Sequence, residues 1–231
     1  MQLPIPLYSG TLIKRYKRFL SDIKLESGEI VTAHCPNSGS MKGCDAPGSP
    51  VLISKSDKPQ RKLKFTWELV QVNGVWVGIN TMFPNRLVRE AIEKEVIPEL
   101  QGYPSIRPEV KYSWNSRIDL LLESEAQKCY VEVKNVTLIE GEIASFPDAV
   151  TVRGQKHLRD LMQVVEAGQR GVIFFVIHRE DARQFTPADD IDPEYGKLLR
   201  QAADRGVEIL AYQTEINPPE VMISHPIPVS L

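Results

Sequence analysis

Three side chains in this chain have the types and spacing of a phosphodiester-cleaving centre. They are Asp119 in RIDLLLE (117–123) and Glu132 and Lys134 in KCYVEVKNV (128–136). Both stretches have the composition of buried strands, yet each is interrupted by charge. In a strand, residues i and i+2 point to one face, so Glu132 and Lys134 share a face with Tyr130, while Val131 and Val133 point the other way. If the two stretches form a plain antiparallel hairpin around the loop 124–127, Asp119 lies directly opposite Glu132. Their Cβ atoms are then about 4.5–5.5 Å apart. A β-bulge would spoil that register. At about 5 Å and an effective dielectric of about 20, the two carboxylates repel by roughly 3 kcal/mol. Lys134 offsets part of this, and a hard divalent cation, Mg2+ or Mn2+, offsets more. Lys134 is then set to orient a nucleophile and to balance charge on phosphoryl oxygens. An exposed sheet face carrying a Lys–Glu pair is the plainer alternative.

The elements that must position these residues are legible around them. Residues 84–97 start with Pro84-Asn85 and stop at Pro98, as a helix would. Strands are expected near 107–113, 117–123 and 128–137. TVRGQKHLRDLMQVVEAG (151–168) is a helix with Leu158, Leu161, Met162 and Val165 on one stripe and Gly168 at its end. RGVIFFVIH (170–178) is a central strand covered on both faces. A helix over 192–205, a strand over 207–212 and an edge strand in the tail follow. Gln155 falls on the core-facing stripe of the first long helix and requires a polar partner, for which the carboxylate site is the candidate. Arg153, Lys156 and His157 lie off that stripe and could meet backbone phosphates. His157 equally suits a surface position or a proton shuttle.

Residues 1–80 read as all-β. A long β-compatible stretch at 12–25 is followed by strands at 29–35, 50–56, 63–72 and 75–80, with Asn73-Gly74 as a type I′ hairpin signal. Five short strands without helix periodicity suggest an OB-like barrel. In LIKRYKRFL, Lys14, Arg15, Lys17 and Arg18 surround Tyr16 and Phe19, a pattern suited to holding single strands. A barrel strand with its aromatics inside is equally compatible. The loop AHCPNSGSMKGC offers Asn37, Ser38 and Ser40 to a polar groove, or is purely structural. The expected organisation is therefore α/β and mixed, with an OB-like β-barrel over 1–80 and an α/β domain with a mixed central sheet over 81–231.

Composition narrows the classes. Hydrophobic residues make up 42% and charged residues 25%, ordinary for a soluble globular chain. No apolar run approaches the roughly 20 residues of a spanning helix, so no membrane partner is expected. MQLPIPLYSG has no basic n-region, which argues against a signal peptide. Cys35, Cys44 and Cys129 make no CxxC pair, which argues for reduced thiols, a cytoplasmic address and no structural zinc. The net charge of −2 argues against strong nucleic-acid binding, but it is unevenly placed. The first 80 residues carry 11 Lys and Arg against 6 Asp and Glu, and residues 81–231 carry 17 against 24.

The spacing R-I-D, twelve residues, E-V-K, framed by α-β-β-β-α-β, resembles the PD-(D/E)xK, or restriction-endonuclease-like, superfamily. That resemblance implies that Asp119 and Glu132 bind Mg2+ and that Lys134 assists the attacking water. It also implies an acidic helix residue completing the metal site, with Glu90 the candidate and Glu95 its competitor. Longer phrases, RYKRFLSDI, AHCPNSGSM, FTWELV, YVEVKNVTL and FPDAVTVRGQKHLRDL among them, resemble the bacterial sugar fermentation stimulation protein A family. This implies an OB-like domain, an endonuclease-like domain, DNA binding and a regulatory role in sugar (maltose) metabolism. Three functions stay open: a Mg2+-dependent nuclease acting on DNA or RNA, a DNA-binding regulator without turnover, and a nucleotide or small-ligand binder. Strandedness of the DNA and oligomeric state are not legible.

Overall fold

A computed structural model describes residues 1–113 and 116–231 of the chain. The basic stretch at 12–25, expected as one strand, is instead a hairpin of β1 (Leu7–Tyr16) and β2 (Leu20–Leu25). Lys17 and Arg18 turn the corner with φ of 50° and 62°. Both lie in the left-handed region that a tight hairpin demands and that Asn and Gly usually fill, so no composition signal marks the turn. Asn73 and Gly74 do make the expected turn, with φ of 52° and 83°.

With β3 (Ile30–His34), β4 (Pro50–Lys55), β5 (Phe65–Val72) and β6 (Val75–Gly78), the first strands form a sheet ordered β3-β2-β1-β4-β5-β6. Pairing of β3 with β5 closes five of these strands into a barrel. Leu12, Ile23, Ala33, Ile53, Trp67 and Val70 point inward, with an extra residue at Glu68 breaking the alternation between Trp67 and Leu69. Leu52 and Leu69 point outward, yet they are buried, because they pack into the core of the following domain.

That domain begins with α1 (Pro84–Glu93) and a 3-10 turn at Pro98–Leu100. The strands β7 (Ser105–Ser113), β8 (Ser116–Glu123) and β9 (Lys128–Val136) follow as an antiparallel meander. Two short strands not expected from the sequence, β10 (Leu138–Glu140) and β11 (Ile143–Phe146), precede α2 (Val152–Glu166). Then come β12 (Arg170–Ile177), β13 (Gln184–Pro187), α3 (Pro193–Asp204), β14 (Glu208–Asn217) and β15 (Glu220–Pro226). The main sheet is mixed and ordered β15-β14-β12-β9-β8-β7, and β10, β11 and β13 form a small second sheet. β12 sits at the centre, as its unbroken apolar run requires. Val172, Phe174 and Val176 face the α1 side, and Ile173, Phe175 and Ile177 face α2 and α3.

The two domains meet at the C-terminal ends of β9 and β12. Gly78 N donates to His178 O at 2.9 Å, and Asn135 Nδ2 donates to Gly78 O at 3.3 Å. The His178 ring lies against Gly78 so closely that a Cβ there would overlap it. Among the described residues no helix is long and apolar enough to cross a membrane.

Candidate active site

β8 and β9 pair through Glu123↔Lys128, Leu122↔Cys129, Leu121↔Tyr130 and Leu120↔Val131. Asp119 and Glu132 are the next opposed positions, where the backbone ladder gives way. The Asp119 carboxylate takes over there: Oδ2 accepts from Val133 N at 2.8 Å, and Oδ1 accepts from Asn85 Nδ2 at 2.9 Å. Glu132 is 2% exposed and faces α2. Its Oε1 accepts from Lys134 Nζ at 2.5 Å and from His157 Nδ1. His157 Nε2 accepts from Arg153 Nε at 3.4 Å, so the ring's surroundings fit the tautomer with its proton on Nδ1. Asp119, Glu132, Lys134, Arg153 and His157 all line one cleft of about 370 Å3.

The electrostatics follow from this geometry. Burial raises the Asp119 carboxyl above the usual range, and the negative charge of Glu132 pushes it further up. Burial also works against the charged form of Glu132, but Lys134 and His157 outweigh it and hold that carboxyl below its ordinary value. Two desolvated carboxyl groups thus act on each other at one point, with the cation Lys134 beside them.

Several sequence expectations require correction. Glu90 does not reach the cleft. Its carboxylate is taken by the Met1 amino group at 3.0 Å and by Lys94 at 2.6 Å, on the side of α1 that faces β15. Asn85, at the start of that helix, touches Asp119 instead; the sequence offered it only as a helix-start residue. Glu95 terminates the helix with φ of 58° and lines a different depression. Gln155 is buried as expected, but its Nε2 donates to Asp192 at 2.9 and 3.1 Å, not to the carboxylate pair. Asp192 caps α3 through Tyr195 N, and Gln155 belongs to that helix–helix joint. Lys156 points away from the cleft and pairs with Asp160 at 2.6 Å. Arg15 is not a phosphate ligand on a free surface. Its guanidinium donates to the carbonyls of Arg18, Asn37, Gly39 and Ser40, and its side chain is 10% exposed. Lys14 pairs with Asp22 at 3.6 Å on the outer barrel wall, and Lys17 and Arg18 are exposed at the hairpin tip. His157, read as off the core stripe, is buried within the site.

The loop over 33–44, which the sequence offered to a polar groove, does line one, and that groove is the carboxylate cleft itself. The loop of Asn37, Ser38 and Gly39 forms one wall of the cleft. It is held by Asn37 Nδ2 to Ile79 O at 3.1 Å and by Asp148, which accepts from Ser40 Oγ at 3.0 Å and Met41 N at 2.9 Å. No residue-type pattern announces contacts across so many residues of chain.

A closed OB barrel joined to a mixed-sheet α/β domain, with a carboxylate pair and a lysine on adjoining strands of that sheet, defines the class of protein. Residues 13–79 match the N-terminal OB domain, and residues 82–220 the RE domain, of the sugar fermentation stimulation protein. A sugar fermentation stimulation protein homolog of Geotalea uraniireducens (strain Rf4) is 67% identical over 224 residues, 97% of each chain. One from Geobacter metallireducens is 63% identical over the full length of both chains. The solved structure of Pyrococcus furiosus SfsA in complex with Ca2+ superposes with a TM-score of 0.91 at 28% identity, covering 100% of this chain and 98% of that one. The chain belongs to the sugar fermentation stimulation protein family.

Proposed function

We propose that the protein binds DNA and hydrolyses its phosphodiester bonds with the help of Mg2+ or Mn2+. The observation that carries this reading is the convergence of Asp119 and Glu132 in one cleft, with Lys134 against Glu132. Among the described residues no group of three or more His, Cys, Asp or Glu is placed to hold a metal ion. Two carboxylates with water completing the shell suit Mg2+, which keeps several of its waters. Burial, and after it the negative charge of Glu132, raises the Asp119 carboxyl, which supports a cation there, and Ca2+, another oxygen-seeking ion, accompanies the Pyrococcus relative. A hard divalent cation held by Asp119 and Glu132 would supply Lewis acidity at the phosphoryl oxygens. Asn85 and Val133 N fix the Asp119 carboxylate, and His157 fixes Glu132. Lys134 orients the attacking water and balances charge developing on the phosphate. Arg153, beside His157, is available to the neighbouring phosphate. The three buried, free thiols suit a cytoplasmic setting.

Lys134 and His157 both occupy Glu132 Oε1, which favours one second reading: a DNA-binding regulator of sugar metabolism that does not turn over. Incubation of the purified protein with labelled single-stranded and duplex DNA separates the two. The nuclease reading predicts cleavage with Mg2+ or Mn2+, none in EDTA, and a loss of about 100-fold or more in Asp119→Ala and Lys134→Ala. DNA binding indifferent to EDTA, with no cleavage of any strand form, would establish the regulator instead.

A further inference from the structure

The cleft does not end at Asp148. It continues into a second depression that shares Ser38, Gly39, Phe146, Asp148 and Thr151 with it and is completed by Arg18, Ser40, Pro147, Ala149 and Val150. Arg18 belongs to the barrel hairpin, and its backbone is not free. Arg15 Nη2 donates to Arg18 O at 3.3 Å while the same guanidinium holds the carbonyls of Asn37, Gly39 and Ser40. One largely buried arginine side chain thus fixes the hairpin tip to the loop that walls both depressions. On the other side Asp148 Oδ2 accepts from Ser40 Oγ and Met41 N, which ties that wall to the same loop. Phe19, next to Arg18, is 51% exposed, the one aromatic among the exposed large hydrophobic residues of the described chain.

Resting on the reading of the cleft as a phosphodiester site, we infer that a single nucleic-acid strand runs from the cleft along this second depression, with Arg18 on a phosphate and Phe19 stacked on a base. An exposed cation at the mouth of the depression, next in sequence to an exposed ring at the hairpin tip, is a pairing suited to single strands without sequence preference. A duplex is disfavoured by charge. The cationic side chains lining the two depressions are Lys134, Arg153 and Arg18, whereas a duplex binder commonly neutralises about 6–10 phosphates. It is also disfavoured by access, because Glu132 lies buried between a loop of one domain and a helix of the other.

The test is fluorescence anisotropy of a fluorescein-labelled oligothymidylate in EDTA, with a duplex of equal length in parallel, on the full chain. Arg18→Ala/Phe19→Ala should weaken single-strand binding about tenfold and make its salt dependence shallower by about 0.7 in log–log slope. Arg18→Lys/Phe19→Tyr should restore most of the affinity, which a folding defect would not allow. Equal affinity of wild type and the alanine variant, or tighter binding to the duplex, overturns the inference. In a second arm, hydrolysis of bis(p-nitrophenyl) phosphate with Mn2+, a probe too short to reach the tip, should be the same in wild type and the alanine variant. If the wild type does not hydrolyse bis(p-nitrophenyl) phosphate while the alanine variant still loses strand binding, the strand path stands and the hydrolytic reading falls.

Discussion

At the scale of single residues, Asp119 is in conflict with its surroundings: burial and Glu132 both raise its carboxyl. An acid whose folded-state value is raised holds its proton more tightly when folded. Its stabilising, neutral form is present at low pH, and that stability is lost as pH rises from the unfolded value through the folded one. At neutral pH without metal the ionised group therefore costs stability. Asp119→Asn is close in shape, can still accept from Val133 N, and can meet Asn85 through a flipped amide. It should raise the thermal midpoint of the metal-free protein at pH 7 by about 2–4 °C, the response of a protein this size to about 1 kcal/mol. The gain should shrink toward pH 4, and Mg2+ should stabilise the wild type but not the variant. Thermal melts across pH check this, and a variant less stable than wild type at pH 7 would remove the conflict on which the metal argument rests.

At the scale of elements, the joint between β6 and the ends of β9 and β12 turns on His178. Its ring is fully buried, with Nδ1 against Asn135 Oδ1 at 2.8 Å and Nε2 without a partner among the described residues. Burial lowers it from 6.5 to about 4. A histidine kept neutral in this way contributes stability above pH 6.5 that is lost as pH falls toward 4, roughly 3 kcal/mol over that window. His178→Gln, which can still reach Asn135, should flatten the acid limb of a urea-denaturation series between pH 6.5 and 4; an unchanged slope would place the acid sensitivity elsewhere. Gly78→Ala should destabilise at pH 7 by about 1–3 kcal/mol through overlap with the same ring. These elements differ in how far the sequence announces them. The β8–β9 register and the apolar stripe of α2 were legible because period and loop length are local. The β1–β2 turn was not, because Lys17 and Arg18 carry no turn signature, and the Arg15 side chain that bonds Arg18 O is itself set by carbonyls of the 37–40 loop. The same limit explains Glu90. Helix periodicity places it on α1, but only the return of Met1 to β15 decides what its carboxylate meets, and the candidate site consequently gained Asn85 and a buried His157 that local pattern could not select.

At the scale of the whole molecule, the two sequence segments share a core. Leu3, Leu52 and Leu69 pack with α1 and the main sheet. The N-terminus bonds to Glu90 and to Val221 O at 2.8 Å, and Leu3 N donates to Pro219 O at 2.8 Å. The barrel is therefore strapped to the α/β domain by the residues that precede it. Leu3→Ala should lower stability by about 2–5 kcal/mol, and calorimetry should still record one transition; two resolved transitions would mean that barrel and sheet fold independently and that the cleft between them is loosely set. The central proposal for this fold is a divalent cation held by Asp119 and Glu132. Anomalous diffraction from a crystal soaked in Mn2+ tests this most directly. The predicted result is a peak bridging Asp119 and Glu132 that vanishes in Asp119→Asn. Mn2+ bound elsewhere, or no peak at saturating metal, would contradict it.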